Sequence, residues 1–237
     1  MRFLVLTLIL LLTGCQTDDV KPINQEEQQS TQTVNKSMDK LNQELLSVTE
    51  QGNKDKINNL LADGADINTR DSSGRTPAMI AVHTKQLDTF KLLIEQGADI
   101  NIRDNRTDNP LLYAGAEGML DFVKVAVAAG ADTTVTNRFG GTALIPAADR
   151  GHVEIVRELL TTSDVNIDHV NNLGWTALLE AVILGDGGKK HQAIVQLLID
   201  HGADVNLADS DGVTPLQHAK SRGYQEMIEM LEKKEAK

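Results

Sequence analysis

The chain is short of aromatic residues and of cysteine. Among its 237 residues it has one Trp, two Tyr, four Phe and a single cysteine, Cys15. One cysteine excludes an intramolecular disulfide, so oxidation contributes nothing to the stability of the fold. So few aromatic side chains are compatible with a core built from many contacts between Leu, Ile, Val and Ala, in which each structural unit packs on its neighbours.

Basic charge is also scarce. The chain has 23 Lys and Arg against 34 Asp and Glu, a net charge of −11. Because binding to phosphates needs a basic surface, this balance argues against nucleic acid as the partner. The histidines show no metal-ligand spacing with an acidic or thiol partner, and no Gly-x-Ser-x-Gly nucleophile motif occurs. We therefore expect no metal, no cofactor and no enzymatic activity.

The chain lacks a hydrophobic run long enough to span a membrane. Its apolar stretch, residues 3–12, follows a positively charged start and is too short to cross a bilayer core of about 30 Å as a helix. Residues 1–14 are therefore predicted to be a signal peptide. They run into Leu12-Thr13-Gly14-Cys15, which resembles the lipobox of bacterial lipoproteins. The resemblance implies that Cys15 is lipidated and anchors the protein to a membrane; the alternative is an incidental cysteine.

The residues after Cys15 indicate the location and a linker. Gln16 follows the cysteine, and by resemblance to lipoproteins this residue implies the outer membrane facing the periplasm in a diderm bacterium, or the cell surface in a monoderm. Up to residue 40 the chain is rich in Gln, Asn, Ser, Thr and charged residues. Such a composition buries too little apolar surface to fold alone, so residues 15–40 are expected to be the lipidated Cys and a flexible polar tether.

A short sequence recurs along the rest of the chain, residues 41–237. Gly64-Ala65-Asp66-Ile67-Asn68 returns as Gly97-Ala98-Asp99-Ile100-Asn101, as Gly130-Ala131-Asp132, as a degenerate Ser163-Asp164-Val165-Asn166, and as Gly202-Ala203-Asp204-Val205-Asn206. The first three copies are 33 residues apart. A fixed period of this size is typical of a stacked repeat protein rather than of one globular core.

A helix-opening motif follows each copy. The five motifs are Thr76-Pro77-Ala78, Asn109-Pro110-Leu111, Thr142-Ala143-Leu144, Thr176-Ala177-Leu178 and Thr214-Pro215-Leu216. Thr or Asn at the N-cap accepts a backbone N–H, and Pro is suited to the first helical position. The Gly of each Gly-Ala-Asp ends a helix, since Gly adopts the left-handed conformation. The polar residues between the two motifs predict a hairpin-like finger loop.

Together these motifs resemble the ankyrin repeat. The resemblance implies an all-α ankyrin-repeat solenoid of about six helix-turn-helix repeats with hairpin-like finger loops, and a first and a last repeat that cap the stack. One departure affects the fourth place of the opening motif, where the family has His and this chain has Met79, Leu112, Ile145, Leu179 and Gln217. Apolar contacts are expected to replace the hydrogen bonds of that histidine.

The resemblance also implies a partner and a binding face, because ankyrin-like stacks bind through finger tips and inner helices on a concave surface. Arginines are concentrated in those positions: Arg70, Arg75, Arg103, Arg106 and Arg138 in fingers, and Arg150 at the end of an inner helix. Arg is favoured for recognising carboxylates and is enriched at interface hot spots, as is Trp. Phe139 and Trp175 are interpreted as aromatic anchors at matching finger positions. The alternative is that each Arg pairs with a finger carboxylate, such as Asp71, Asp104 or Asp108, and that Trp175 packs on its own finger.

Two functional hypotheses follow. The first is a lipid-anchored module of the bacterial envelope that binds a protein partner through the arginine-lined face, in a sharper version as an immunity or inhibitory protein. The second is an envelope enzyme or ligand sensor that uses the irregular fourth and fifth repeats around His169, Asp186 and His191. The last two belong to an inserted Gly-rich segment, residues 185–191, expected at the turn between two helices. It lacks the order of a phosphate-binding loop.

Overall fold

The computed structural model describes residues 25–235 and contains twelve α-helices and no strand within that range. The helices are α1 Gln25–Glu50, α2 Lys54–Ala62, α3 Pro77–His83, α4 Leu87–Glu95, α5 Pro110–Ala116, α6 Leu120–Ala128, α7 Leu144–Asp149, α8 Val153–Thr162, α9 Ala177–Ile183, α10 Lys189–Asp200, α11 Pro215–Arg222 and α12 Gln225–Glu235. The chain divides into a unit up to Ser37 and a larger unit, Met38–Lys237. None of the described helices combines the length and apolar character needed to cross a bilayer.

Within the larger unit the helices form two layers. The inner helices α3, α5, α7, α9 and α11 contact one another in chain order, and the outer helices α4, α6, α8, α10 and α12 do the same. The buried core between the layers consists mainly of Leu, Ile, Val and Ala, with one aromatic pair, Phe90 and Phe122, whose ring centroids are 5.6 Å apart. This confirms the predicted all-α solenoid of about six helix pairs.

Four of the five opening motifs cap their helices as predicted. The side chains of Thr76, Asn109, Thr176 and Thr214 each accept the backbone N–H three residues later. The expectation for Thr142 was wrong: helix α7 has no side-chain cap, and the Thr142 hydroxyl is buried without a partner. Here the first turn closes through the backbone instead, because the Ile145 N–H bonds to the Thr142 carbonyl 3.2 Å away.

Four of the five residues in the fourth place of the motif behave as expected. Met79, Leu112, Ile145 and Leu179 are buried, so apolar contacts occupy the place of the family's histidine. Gln217 instead completes a capping box with Thr214. Some of the hydrogen bonds between repeats come from another residue, the Asn that ends the first two Gly-Ala-Asp copies. The side-chain oxygens of Asn68 and Asn101 accept the backbone N–H of Asp99 and Asp132 in the next repeat, both at 2.9 Å.

The degenerate fourth copy is shifted relative to the predicted alignment. Asn166, not Asp164, accepts the backbone N–H two residues later, as Asp66 and Asp99 do. Asp168 then takes the place of Asn68 and accepts the Asp204 N–H at 3.0 Å. The irregular spacing hides this equivalence in the sequence, whereas the hydrogen bonds reveal it.

The N-terminal region differs in part from expectation. Helix α1 begins at Gln25, so residues 25–40, expected to belong to a flexible tether, are helical. Gln, Glu and Lys, which are frequent there, have good helix propensity. The predicted signal peptide and Cys15 lie outside the described residues. The inserted residues 185–191 do lie between α9 and α10, and the last of them form the first turn of α10.

A candidate partner-binding groove

A cavity of about 290 Å³ opens where the fingers and inner helices of the third, fourth and fifth repeats meet. We call it the central groove. Three fingers contribute to its lining: Arg106 and Asp108 from the first, Asn137, Arg138, Phe139 and Gly141 from the second, and Asn171 and Leu173 from the third. Three inner helices and their C-terminal ends contribute the rest: Leu112, Tyr113, Ala116 and Glu117 at α5, Ile145, Pro146, Asp149 and Arg150 at α7, and Glu180 and Leu184 at α9. The groove therefore lies on the face that the sequence predicts for binding.

Each finger tip is held by a side chain that closes its own turn. In the fourth repeat, Asn137 donates its backbone N–H to the Gly141 carbonyl, and its Oδ1 accepts the N–H groups of Phe139 and Gly141. The same pattern recurs around Asp71, Asp104, Asn171 and Asp209. The residue two positions after Asp71, Asp104, Asn137, Asn171 or Asp209 therefore occupies the same place at the tip of its finger.

The groove exposes large apolar side chains. Phe139 is 54% exposed, Leu173 52% and Leu184 50%. Among residues 36–234, whose exposure is described, the one other large hydrophobic residue with comparable exposure is Val170, at 49%, and it does not line the groove. Exposed apolar side chains that line one cavity are a common feature of interaction sites, because soluble monomers rarely expose large apolar patches.

Three arginines line the groove. Arg138 lies over the ring of Phe139, with 4.5 Å between its guanidinium carbon and the ring centroid. Arg150 Nη1 is 2.8 Å from Glu117 Oε1 and donates to the Ala116 carbonyl. Arg106 is exposed at the tip of the preceding finger. These three and Phe139 are the predicted binding residues that the structure brings together.

The other predicted arginines are engaged in the fingers themselves. Arg70 donates to the Gly74 carbonyl and, at 2.7 Å, to the Arg103 carbonyl of the next finger. Arg103 donates to the Thr107 carbonyl. Arg75 forms an ion pair with Asp71 at 2.7 Å and lies 3.7 Å from Glu50, as the alternative interpretation expected. The bond from Arg70 to Arg103 joins two fingers, whereas the contacts of Arg103 and of Arg75 with Asp71 lie within one finger. None of the three arginines lines the groove.

The predicted pairing of Phe139 with Trp175 was wrong. Phe139 lies two residues after its turn residue, whereas Trp175 lies four residues after Asn171 and donates its N–H to the Asn171 side chain. Leu173 is the residue that matches Phe139. Trp175 is half-buried and outside the groove lining. The sequence also contains this match, because Phe139 and Leu173 each stand three residues before the Thr of their opening motif, Thr142 and Thr176.

Sequence reasoning missed the floor of the groove. Glu180, on α9, is only 7% exposed, and its Oε1 accepts a hydrogen bond from Asn171 Nδ2 at 2.7 Å. Burial and repulsion from Asp149 raise the pKa of Glu180 to about 7, although the bond from Asn171 opposes the shift. A signal was present, because a Glu stands on the buried inner helix where the third and fourth repeats have Tyr113 and Pro146.

The histidines of the alternative hypothesis serve the packing of loops. His169 Nε2 contacts the Gly140 carbonyl of the preceding finger at 2.7 Å. His191 bridges two acceptors, the Asp186 carboxylate at 2.8 Å and the Asp149 carbonyl at 2.9 Å, and so fixes the inserted segment to the end of α7. Residues 25–235 contain no group of His, Cys, Asp and Glu arranged to hold a metal ion.

The stacked helix pairs and finger turns define a helical-repeat solenoid protein. A family model described as ankyrin repeats (3 copies) matches residues 45–137 and 111–209, and one described as ankyrin repeats (many copies) matches residues 188–232. The chain belongs to the ankyrin repeat family.

Known proteins resemble the chain over most of its length. The ankyrin repeat protein YahD of Escherichia coli K12 is 42% identical over 195 residues, which are 82% of this chain and 97% of YahD. The crystal structure of an ankyrin repeat domain from Acinetobacter baumannii AYE has 49% identity and a TM-score of 0.78, covering 81% of this chain and 97% of that domain. The ankyrin repeat domain of Bcl-3 has 26% identity and a TM-score of 0.72, covering 80% and 85%.

Proposed function

We propose that this protein is a lipid-anchored module of the bacterial envelope that binds a protein partner through the central groove. Ankyrin repeats generally mediate protein–protein interaction, and this chain is built of them. The sharper form of the proposal is an immunity or inhibitory protein, whose groove covers a functional surface of a toxin or an envelope hydrolase.

The observation that supports groove binding is the convergence of Phe139, Leu173 and Leu184 in one cavity. Each exposes about half of its surface, and arginines stand beside them. An aromatic anchor next to Arg is a common composition of interface hot spots. The remaining acidic surface keeps the protein soluble and steers the choice of partner.

The anchor is supported by the sequence alone. The apolar run of residues 3–12 and the motif ending at Cys15 fit a lipoprotein precursor. A diacylglyceryl group with a further acyl chain would hold the protein firmly, since each buried CH₂ contributes about 0.8 kcal/mol. The expected location is the outer membrane facing the periplasm, or the cell surface in a monoderm.

Affinity capture with a matched control tests the binding face. The variant Phe139→Ala/Leu173→Ala/Leu184→Ala removes the apolar residues of the groove, and Val170→Ala removes an equally exposed one outside it. The full-length proteins are produced in the native host, cross-linked in the envelope, and analysed by mass spectrometry. We expect the triple variant to lose the partner that the wild type and Val170→Ala retain. Retention by all three proteins would refute groove binding.

Labelling with a palmitate analogue tests the anchor. The wild type is expected to incorporate the label and to sediment with membranes, whereas Cys15→Ser incorporates none and remains in the precursor form. An unlabelled wild-type protein found in the soluble fraction would refute lipidation, and it would leave the groove proposal intact.

A further inference from the structure

The floor of the central groove holds a carboxylate pair without a cation of its own. Asn171 donates to Glu180 Oε1, and no donor reaches Oε2 within the described residues. Neither Glu180 nor Asp149, the acidic neighbour that acts on it, forms an ion pair in that part of the chain. Both residues line the cavity, so both are accessible from it.

The neighbouring arginines do not neutralise this pair. Arg150 is paired with Glu117, and Arg138 lies over the Phe139 ring. Arg106 lines the cavity but forms no ion pair with the floor among residues 25–235. Neither Glu180 nor Asp149 is therefore paired with an arginine within residues 25–235.

A buried carboxylate without a cation carries an unfavourable desolvation free energy, and a cation that enters the cavity would offset it. Above the floor, the exposed side chains of Phe139 and Leu184 form apolar walls. A long side chain with an apolar stem and a charged end fits such a site, because the stem packs on the walls while the end reaches the carboxylates. Lys and Arg are the side chains with this character.

We propose that Glu180 and Asp149 bind a basic side chain, Lys or Arg, that the protein partner inserts into the central groove, with its stem packed on Phe139 and Leu184. The inference rests on the proposed function and adds the chemistry of the partner to it. Arginines that line the groove then bind carbonyl or carboxylate groups of the partner that flank the basic residue.

Selection of peptides tests the proposal without a known partner. The full-length lipoprotein, purified in detergent and immobilised, is panned against a library of random twelve-residue peptides. We expect one position of the selected peptides to be Lys or Arg. Selection that enriches no basic residue, including one that yields no binding peptide, would overturn the inference. The proposed function is judged separately by the Phe139/Leu173/Leu184 capture experiment.

A double-mutant cycle then assigns the contact. A selected peptide with Lys, and the same peptide with norleucine in its place, are titrated into the wild type, Glu180→Gln and Asp211→Asn. Asp211, an exposed finger carboxylate outside the groove, serves as the control. The norleucine peptide and the Glu180→Gln variant should each weaken binding roughly 10- to 100-fold. Combined, they should weaken binding by much less than the product of the two single effects, because both changes remove the same contact. If the combined loss equals the product of the two single losses, the peptide Lys does not contact Glu180 and the inference is wrong. The comparison of the Lys and norleucine peptides on the wild type does not depend on the folding of any variant.

Discussion

Asn171 joins the turn of its finger to the buried carboxylate of Glu180. Its Oδ1 accepts two backbone N–H groups of the finger, and its Nδ2 donates to Glu180 at 2.7 Å. The last repeat pairs the same two positions, but there the carboxylate is on the finger and the nitrogen is on the inner helix: Asp209 contacts His218 Nε2 at 2.7 Å. In both repeats a polar pair nine residues apart fixes a finger to its inner helix.

The variant Asn171→Asp should destabilise the protein. It keeps the acceptor that closes the turn but replaces the donor to Glu180 with a second carboxylate. We expect a loss of roughly 2 kcal/mol or more at pH 8, and a smaller loss at pH 5, where a shared proton can bridge the carboxyls. Urea unfolding at both pH values measures it. Asn137→Asp, at the equivalent turn, should change stability by less than about 0.5 kcal/mol; equal losses in the two variants would contradict the role of Glu180.

The pH dependence of stability should reflect Glu180. Its pKa in the folded protein is raised from 4.5 to about 7, so the folded state holds a proton that the unfolded state releases. The free energy of unfolding should therefore fall as the pH rises from about 4.5 to about 7, and stay lower above that.

Glu180→Gln should remove this dependence and retain an acceptor for Asn171. At pH 8 it should raise the free energy of unfolding by roughly 2 kcal/mol, after allowance for solvent screening in the groove. Glu117→Gln is the control, since Glu117 is exposed and pairs with Arg150; it should lose about 0–1 kcal/mol. A wild-type stability that rises between pH 5 and pH 7.5, with no change on Glu180→Gln, would be incompatible with the buried carboxyl.

The Asn residues between repeats should contribute individually to stacking. Asn101→Ala removes the bond to the Asp132 N–H, so we expect a loss of about 1 kcal/mol in thermal or urea unfolding. Asn206 occupies the same place in its Gly-Ala-Asp copy, but the described chain has no later repeat for it to contact. Asn206→Ala should change stability by a few tenths of a kcal/mol. Equal effects would show that the loss at Asn101 arises within its own turn.

Thr107→Gly should stabilise the third finger. Thr107 has a φ of 68°, and the corresponding residues of neighbouring fingers, Gly74 and Gly140, have φ values of 77° and 74°. A β-branched residue is strained in this region, and the Thr107 hydroxyl is also buried without a partner. We expect a gain of about 1 kcal/mol in the free energy of unfolding. The reverse change, Gly74→Ala, should be destabilising because its Cβ would meet Asn105 Oδ1; a loss for Thr107→Gly would refute the assigned strain.

Much of the fold could be predicted because its determinants are local. The Thr-Pro openings and the Gly-Ala-Asp copies act within a few residues of the chain, and the caps at Thr76 and Thr214 formed as expected. Prediction failed in the fourth and fifth repeats. The degenerate fourth copy was misplaced because its residues are offset by two positions, and the hydrogen bonds show which of them are equivalent. Trp175 was aligned with Phe139, although Leu173 stands at the same distance from its opening motif as Phe139 does.

The binding residues were harder to predict. All six arginines belong to positions that could face a partner, yet Arg70 and Arg103 bond to finger carbonyls, and Arg75 pairs with Asp71. The sequence does not reveal whether an arginine side chain lies close enough to a carbonyl of the next repeat to bind it, because that distance is set when the repeats stack.

The sequence by itself determined the repeat, its helices and their order, because capping, glycine conformation and apolar periodicity operate within one repeat. Only the tertiary structure decided that Phe139, Leu173 and Leu184 share one groove above Glu180. Those residues come from neighbouring repeats, and their proximity arises when the repeats stack. Which charges are paired, and which apolar side chains stay exposed, depends on that packing.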